Sequence, residues 1–218
     1  MFRALQQPRD AYDVVIIGGG GHGLAAAYYL AKEHGITNVA VLEKGYLGGG
    51  GTGRNTAIVR SNYLTPEGVR FYQKSVELFR DLSAELDFNI FYTERGHFTL
   101  AHSDAALRTA RWRAEVNKAC GVDSEVVDRA FIKKTVPQID LDCGGRAAPI
   151  LGALYHPPGA IARHDAVAWA YARGADRRGV EIFQKTAVND IEVRDGAVIG
   201  VQTDKGYIQT RKVLSAVA

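Results

Sequence analysis

The hydrophobic pattern of the chain opens with four consecutive aliphatic residues, Val14–Ile17. An unbroken run of this kind predicts a strand over about residues 12–17 that is buried on both faces, as in a parallel sheet. Small and apolar residues then predict a helix over 21–33, and Gly35 is a typical stop signal after it. A second aliphatic run, Val39–Leu42, predicts the next parallel strand.

An amphipathic helix is predicted next, from Thr65 to about Leu86. Thr65, Pro66 and Glu67 provide a capping hydroxyl, a proline at the first position and an acid in the first turn. The apolar residues that recur at helical spacing predict one packed face, and we expect all of them to be core residues: Val69, Tyr72, Val76, Phe79, Leu82 and Leu86.

The remainder of the chain alternates between short strands and helices. Residues 88–92 and 97–101, on either side of Arg95-Gly96, predict a pair of strands. Capping residues and periodicity predict helices over 103–119, 128–136 and 166–178. Apolar segments predict strands over 150–155, 180–183 and 212–216, the second of them parallel to the first two strands. Three segments separated by Gly-containing turns predict an antiparallel meander over 188–193, 197–203 and 206–210.

A glycine motif lies between the first strand and the first helix. Gly18, Gly20 and Gly23 match G-x-G-x-x-G, in which the glycines allow a tight turn, a close approach to a pyrophosphate and close helix packing. Glu43 ends the second strand, where its carboxylate can accept hydrogen bonds from a ribose diol. This context favours a dinucleotide site over an ordinary structural turn. An acid at this position also argues against a 2′-phosphate, so FAD or NAD is expected rather than NADP.

The residues around the motif extend the candidate site. The glycine-rich segment 45–60 leaves the sheet at the carboxyl ends of its strands, where ligands of open α/β sheets bind. Its free N–H groups could surround the phosphates and ring of a long cofactor, although composition alone fits a flexible surface loop. The candidate cofactor contacts outside the motif are Gly21, His22, Lys44, Arg54, Asn55 and Thr56.

Composition and residue spacing argue against nucleic-acid binding, a metal site and membrane insertion. The formal charge of +3 is too small and too dispersed to indicate nucleic-acid binding. Cys120 and Cys143 have no metal-type or redox-type spacing, and His97 and His102 bracket a predicted strand, so no metal site is expected. The uncharged segment 14–31 superficially resembles a signal peptide or membrane span. The consecutive glycines and the histidine in this segment do not suit a signal peptide or a membrane span. We therefore expect a soluble, cytoplasmic chain without membrane contact.

The order of the elements indicates a dinucleotide domain that is split by an insertion. Residues 11–62 and 164–218 are predicted to form the discontinuous FAD-binding domain, truncated at its C-terminus. Residues 63–163 are predicted to form a helical connection and part of a substrate domain. The expected fold class is α/β: a glutathione-reductase-type FAD-binding domain with a parallel sheet and an antiparallel β-meander crossover, plus part of an α+β substrate domain. This step is an analogy with flavin enzymes of that type.

Several longer blocks carry a closer resemblance, to the β subunits of heterotetrameric sarcosine oxidases. The blocks span almost the whole chain and are far more specific than the glycine motif. They are residues 12–25, 28–32, 34–45, 54–56, 58–64, 115–118, 121–123, 159–165 and 167–169.

This resemblance implies an FAD-dependent amine oxidase of the D-amino-acid-oxidase superfamily. Such enzymes oxidise sarcosine at its C–N bond by hydride transfer to non-covalent FAD, giving glycine and a one-carbon unit for tetrahydrofolate or release as formaldehyde. Electrons pass through FMN to O2 and yield hydrogen peroxide. The implied partners are the α, γ and δ subunits, with the covalent FMN shared with the α subunit.

The resemblance also implies roles for single residues. His164 matches the histidine that holds FMN covalently, Val188 matches a backbone contact to the adenine, and Arg60 matches an arginine that holds the substrate carboxylate. For Arg60, a surface or phosphate-pairing role stays open. Ala57 stands where monomeric relatives carry a further arginine near the flavin, so their way of handling oxygen does not transfer.

Members of this family run to about twice the present length, so an N-terminal fragment or a truncated gene product is expected. Two other functions stay open. One is a different FAD-dependent dehydrogenase, acting on dimethylglycine or D-amino acids. The other is a non-catalytic flavin-binding subunit that serves as a scaffold or electron carrier.

Overall fold

The structure is a computed structural model that describes residues 7–145 and 147–217. The α-helices in this part are α1 (Gly21–His34), α2 (Pro66–Glu85), α3 (Asp104–Ala119), α4 (Arg129–Thr135) and α5 (His164–Asp176). The strands are β1 (Val14–Ile17), β2 (Val39–Leu42), β3 (Ile58–Val59), β4 (Thr93–Glu94), β5 (His97–Ala101), β6 (Glu125–Val127), β7 (Gly152–His156), β8 (Ala160–Ile161), β9 (Glu181–Phe183), β10 (Val188–Arg194), β11 (Ala197–Thr203), β12 (Gly206–Gln209) and β13 (Val213–Ser215). None of the described helices has both the length and the apolar character that crossing a membrane requires.

A parallel sheet with strand order β13-β1-β2-β9 forms the centre of the N- and C-terminal parts. β1 pairs with β2 and β13, and β2 pairs with β9, all in parallel. All four residues of β2 are buried, as are three of the four in β1. Burial on both faces explains why these strands appear in the sequence as continuous apolar runs. The predicted parallel sheet is confirmed.

The two faces of this sheet pack against different layers. Ile16 faces α1, where its side chain lies beneath Gly23. The neighbouring Val15 points the other way and packs with Phe183 against Val201 and Ile208 of the meander. The meander, β10-β11-β12, is antiparallel throughout and connects β9 to β13. The predicted meander crossover is therefore confirmed.

The described chain divides into two compact units. The first contains the described residues up to Ala57, together with Ala84–Ile90 and the chain from Arg163 onward. It holds the parallel sheet, the meander, α1 and α5. The second contains Ile58–Ser83 and Phe91–Ala162, and it holds most of α2 together with α3 and α4.

The second unit is built around the antiparallel sheet β5-β7-β6. Leu154 of β7 packs against Ala110 and Ala114 of α3, whereas Ala153 clusters with Ile132 of α4. Both helices begin with side-chain caps: the Ser103 hydroxyl accepts a hydrogen bond from the Ala106 N–H, and Asp128 accepts one from the Phe131 N–H. The two predicted helix starts are confirmed.

The strand pair predicted over residues 88–92 and 97–101 is wrong. β5 pairs with β7, whereas β4 pairs with β8 in a separate sheet with strand order β3-β8-β4. The partners of both strands lie more than fifty residues further along the chain. Local β-propensity indicates that a segment can be a strand, but it does not indicate the pairing.

The predicted packed face of α2 is correct only in part. Val69, Val76 and Leu82 are buried, and Leu86 is buried just beyond the helix end. Tyr72 is exposed, and its ring stacks on that of Tyr63 with 3.9 Å between centroids. Tyr72 is therefore not a core residue. Its ring lies at the surface, where Tyr63 covers one of its faces.

Candidate functional site

The glycine turn after β1 has the conformation that its sequence predicts. Gly18 has φ +110°, and a Cβ there would lie 2.7 Å from the Ala216 carbonyl oxygen. A Cβ on Gly23 would lie 2.0 Å from the Gly18 carbonyl oxygen, so only glycine lets α1 approach the turn this closely. Strand, turn and helix are thus in direct backbone contact.

The N-terminus of α1 directly follows the same turn. Gly20 is the N-cap and provides no side-chain cap, and the first turn of α1 contains no acidic residue. The Gly21 N–H donates to the Thr52 hydroxyl over 2.8 Å. Because the first turn of α1 carries no acidic side chain, the positive end of its dipole favours an anionic group such as a phosphate.

Glu43 lies at the same edge of the sheet as the glycine turn. One carboxylate oxygen accepts a hydrogen bond from the Gly19 N–H over 2.9 Å, and the other accepts one from the Gly45 N–H over 2.7 Å. The carboxylate therefore directly follows β2 and is fixed against the turn that follows β1. In a dinucleotide site this position suits a carboxylate that binds the ribose hydroxyls.

The segment after β2 folds over the glycine turn. The Gly48 N–H donates to the Gly19 carbonyl over 3.0 Å. The Asn55 side chain closes a local turn, since its amide donates to the Thr52 carbonyl and its oxygen accepts from the Ala57 N–H. The segment is thus an ordered, hydrogen-bonded loop that includes a 3-10 turn over Gly51–Arg54. These hydrogen bonds differ from the flexible surface loop that composition alone would fit.

The other predicted contacts are distributed around this edge. His22 is the second residue of α1 and is exposed, as are Lys44, Arg54 and Thr56. Val188 begins β10, two residues after Thr186, whose N–H donates to the Glu43 carbonyl over 2.9 Å. Thr186 thus connects the segment just before Val188 to Glu43, the residue that follows β2.

His164 is the first residue of α5, which begins two residues earlier than predicted. Its Nδ1 is buried without a hydrogen-bond partner among the described residues. The neighbouring Asp165 forms an ion pair with Arg163 at 2.6 Å. The hydrogen bond from Arg163 lowers the pKa of Asp165 to about 2. The imidazole thus lies at the start of α5, beside the Arg163–Asp165 ion pair, with its Nδ1 unpartnered among the described residues.

Arg60 belongs to the second unit, where it follows β3. Its guanidinium donates to the Asn62 side-chain oxygen over 2.8 Å and lies over the Tyr63 ring at 4.4 Å. No carboxylate among the described residues forms an ion pair with it. Arg60 is consequently a half-buried cation that is held by neutral groups.

The amino-acid sequence matches a known family. The profile described as "FAD dependent oxidoreductase" matches residues 13–217. The chain belongs to this FAD-dependent oxidoreductase family. It is 50% identical over 211 residues to the sarcosine oxidase subunit beta of Rhizobium meliloti (strain 1021), in an alignment that covers 97% of this chain and 50% of that protein. It is 49% identical to the sarcosine oxidase subunit beta of Arthrobacter sp, with 96% and 52% covered.

A solved structure agrees with the fold. The L-proline dehydrogenase from P. horikoshii superposes with a TM-score of 0.85 at 28% identity, covering 97% of this chain and 53% of that one. The predicted fold class and the predicted resemblance are confirmed. The chain spans about half the length of the curated relatives it matches.

The first unit fits the adenosine diphosphate part of this family's cofactor. Gly20 carries no Cβ at the helix start, where the nearest side-chain atom to a Cβ would be the Thr52 hydroxyl at 3.1 Å. Backbone donors and the Glu43 carboxylate thus stand at one edge of the sheet, as a diphosphate and a ribose require.

Sequence reasoning missed several polar residues of the second unit. The side chains or backbone groups of Asn62, Arg113, Asn117 and His156 are bonded around the segment that follows β3. They come from separate elements, and their spacing forms no motif. The only signal was that Asn62 and Asn117 fall inside the blocks that carry the family resemblance.

Proposed function

We propose that this chain is the FAD-binding part of a sarcosine oxidase β subunit. The family match over residues 13–217 and the relatives at 49% and 50% identity support this assignment. The proposed reaction consumes sarcosine, O2 and water, and it gives glycine, formaldehyde and hydrogen peroxide. Tetrahydrofolate would accept the one-carbon unit in place of its release as formaldehyde.

One observation carries the proposal: the glycine turn and the acid after β2 meet at one edge of the parallel sheet. The Gly19 N–H to Glu43 oxygen distance of 2.9 Å fixes this arrangement. In the proposed complex the turn and the N-terminus of α1 bind the diphosphate, and Glu43 binds the adenosine ribose. Val188 contacts the adenine through its backbone, and the remaining contacts come from Gly21, His22, Lys44, Arg54, Asn55 and Thr56.

Bound FAD supplies the hydride acceptor for oxidation of the C–N bond. The proposed role of Arg60 is to hold the substrate carboxylate by charge-assisted hydrogen bonds, so that the amine end is oriented for reaction. Arg60 suits this role because the groups that contact its guanidinium, the Asn62 amide and the Tyr63 ring, are neutral. Its positive charge is therefore available to an anion. Glu43 and the glycine turn contribute binding and positioning only.

His164 is the proposed attachment point of FMN, which would supply the route for electrons to O2. The buried Nδ1, which has no hydrogen-bond partner among the described residues, supports this role. The proposed partners are the α, γ and δ subunits, with FMN at the contact with the α subunit, and the proposed compartment is the cytoplasm.

The decisive test is anaerobic addition of sarcosine to the full-length protein, co-expressed with its partner subunits. The FAD absorbance is expected to bleach with sarcosine and to remain with its neutral amide. Dimethylglycine and D-amino acids serve as competing substrates. Faster bleaching by either would move the assignment to another dehydrogenase of the family, and retention of the absorbance with every amine would indicate a non-catalytic flavin-binding subunit.

A further inference from the structure

The second unit contains two neighbouring arginines that form no ion pair with an acidic residue among the described residues. We define the arginine cluster as Arg60, Asn62, His97 and Arg113. Arg113 lies on α3 and donates from its guanidinium to the Asn62 backbone carbonyl. Arg60 donates to the side chain of the same asparagine over 2.8 Å. Asn62 therefore joins the two guanidinium groups.

The two positive charges act on each other and on the histidine. Burial and then the charge of Arg60 lower the pKa of Arg113. Burial, followed by Arg60, His156 and Arg113, lowers the pKa of His97 to about 4. The imidazole is thus neutral at physiological pH, and the charge of the cluster belongs to its two arginines.

Three polar atoms of the arginine cluster are buried without a hydrogen-bond partner among the described residues. They are the Asn62 Nδ2, the His97 Nδ1 and the Arg113 Nε. The Asn62 amide nitrogen and the Arg113 Nε can only donate. An unsatisfied buried donor is costly, so two of them in one cluster call for an explanation such as an acceptor that binds there.

The segment that carries the cluster is held in place by buried polar groups. Asn117 donates to the Tyr63 carbonyl over 2.8 Å, and the Ser61 hydroxyl donates to Gln73 over 2.8 Å. Ser61, Asn62 and Asn117 are fully buried. These buried hydrogen bonds hold Asn62, and both guanidinium groups donate to Asn62, so the fold itself supports their placement.

We propose that Arg113 and Asn62 act with Arg60 as one site for a carboxylate, with Arg113 as the second cation and Asn62 as the residue that spaces the two guanidinium groups. Two planar guanidinium groups and an amide donor suit a carboxylate, which accepts several charge-assisted hydrogen bonds in its plane. The inference rests on the proposed function for the identity of the carboxylate as that of the amino-acid substrate. Arg113 and Asn62 thereby favour acids over their neutral amides.

The test uses acetate as a carboxylate that cannot be oxidised, and acetamide as its neutral counterpart. Both are titrated calorimetrically into the full-length complex with oxidised flavin. Wild type is expected to bind acetate in preference to acetamide. In Arg113→Met, acetate affinity is expected to fall by about 10–100-fold with acetamide unchanged, because one charged hydrogen-bonding partner is lost. Arg113→Lys keeps the positive charge but lacks the paired N–H donors of the guanidinium. The decrease in acetate affinity should therefore be smaller than in Arg113→Met.

Two further variants test the site: Asn62→Asp should block it, and Arg111→Met is the matched control. Asp at position 62 places a carboxylate between the guanidinium groups, so acetate binding is expected to disappear while the fold, checked by circular dichroism, is retained. Arg111 lies on α3 but is exposed, and its substitution should leave acetate binding unchanged. Equal acetate affinity in wild type and Arg113→Met, or parallel losses for acetate and acetamide, would overturn the inference.

The acetate titration and the anaerobic sarcosine test together separate this inference from the proposed function. If sarcosine fails to bleach the flavin but acetate binding still depends on Arg113, the carboxylate site stands and the sarcosine oxidase assignment fails. If sarcosine is oxidised and the Arg113 variants bind acetate normally, the assignment stands and the second cation is rejected.

Discussion

At the scale of single residues, His97 links the arginine cluster to the stability of the protein. Its folded-state pKa of about 4 lies below the ordinary value of 6.5, first because of burial and then because of the nearby arginines. Between these two values the unfolded chain binds a proton that the folded chain does not. The free energy of unfolding therefore falls as the pH is lowered from about 6.5 towards 4. Burial lowers the pKa of His156 in the same direction.

We expect His97→Gln to flatten this pH dependence. Since the imidazole is only half-buried, solvent screening reduces the effect, to about 1 kcal/mol between pH 7 and pH 5. Denaturant unfolding at the two pH values measures it, and His102→Gln is the matched control because His102 is exposed. Identical pH dependence in wild type and His97→Gln would contradict the lowered pKa of the half-buried His97.

Arg60 gives a second prediction at this scale. In Arg60→Ala the KM for sarcosine is expected to rise by about 10–100-fold while FAD remains bound, because a charge-assisted contact to the carboxylate is lost. Steady-state kinetics and the flavin absorbance measure the two parts. Arg70→Ala, at an exposed position of α2, should change neither. An unchanged KM in the Arg60 variant would remove Arg60 from the substrate site.

His164 gives a third prediction, which concerns a covalent bond. Wild-type subunits that are co-expressed and then denatured are expected to retain flavin fluorescence on the β-subunit band of a gel. His164→Ala should lose that fluorescence, because His164 is the proposed site of covalent FMN attachment and alanine cannot form this bond. A denatured wild-type band without fluorescence would refute the covalent role of His164.

At the scale of elements, the glycine turn sets the position of α1. A Cβ at position 23 would lie 2.0 Å from a backbone oxygen, whereas one at position 21 would lie 3.4 Å from the Thr52 hydroxyl. Gly23→Ala is therefore expected to destabilise the protein by about 2–5 kcal/mol, since backbone must move. Gly21→Ala should be close to neutral. Thermal or denaturant unfolding compares them, and equal stability of the two variants would argue against the close helix–turn contact.

Elements defined by local chemistry could be predicted from the sequence. Gly35 takes the left-handed conformation with φ 65° and ends α1, and Ser103 caps α3, as expected of their residue types. The short strand β6 was missed, because Glu125–Val127 has too few residues to produce a period. The arginine cluster was not predictable either, since Asn62 and Arg113 meet only through the fold of the second unit.

At the scale of the whole molecule, each compact unit has its own hydrophobic core. One cluster packs Val15 and Phe183 against the meander, and others pack Leu154 against α3 and Ala153 against α4. Each cluster lies within one unit. Local substitutions should accordingly report on the unit in which they are made.

We therefore expect Gly23→Ala and Leu154→Ala to have separate effects on amide hydrogen exchange. Leu154 is fully buried, so its truncation is expected to cost about 2–5 kcal/mol through the cavity it leaves. Exchange should accelerate in β5, β6, β7 and α3 for Leu154→Ala, and in α1, β1 and β2 for Gly23→Ala. Mass spectrometry of peptic fragments resolves the two sets. Acceleration in both units from either substitution would mean that the units unfold as one cooperative body, because a loss in one core would then lower the free energy of opening everywhere.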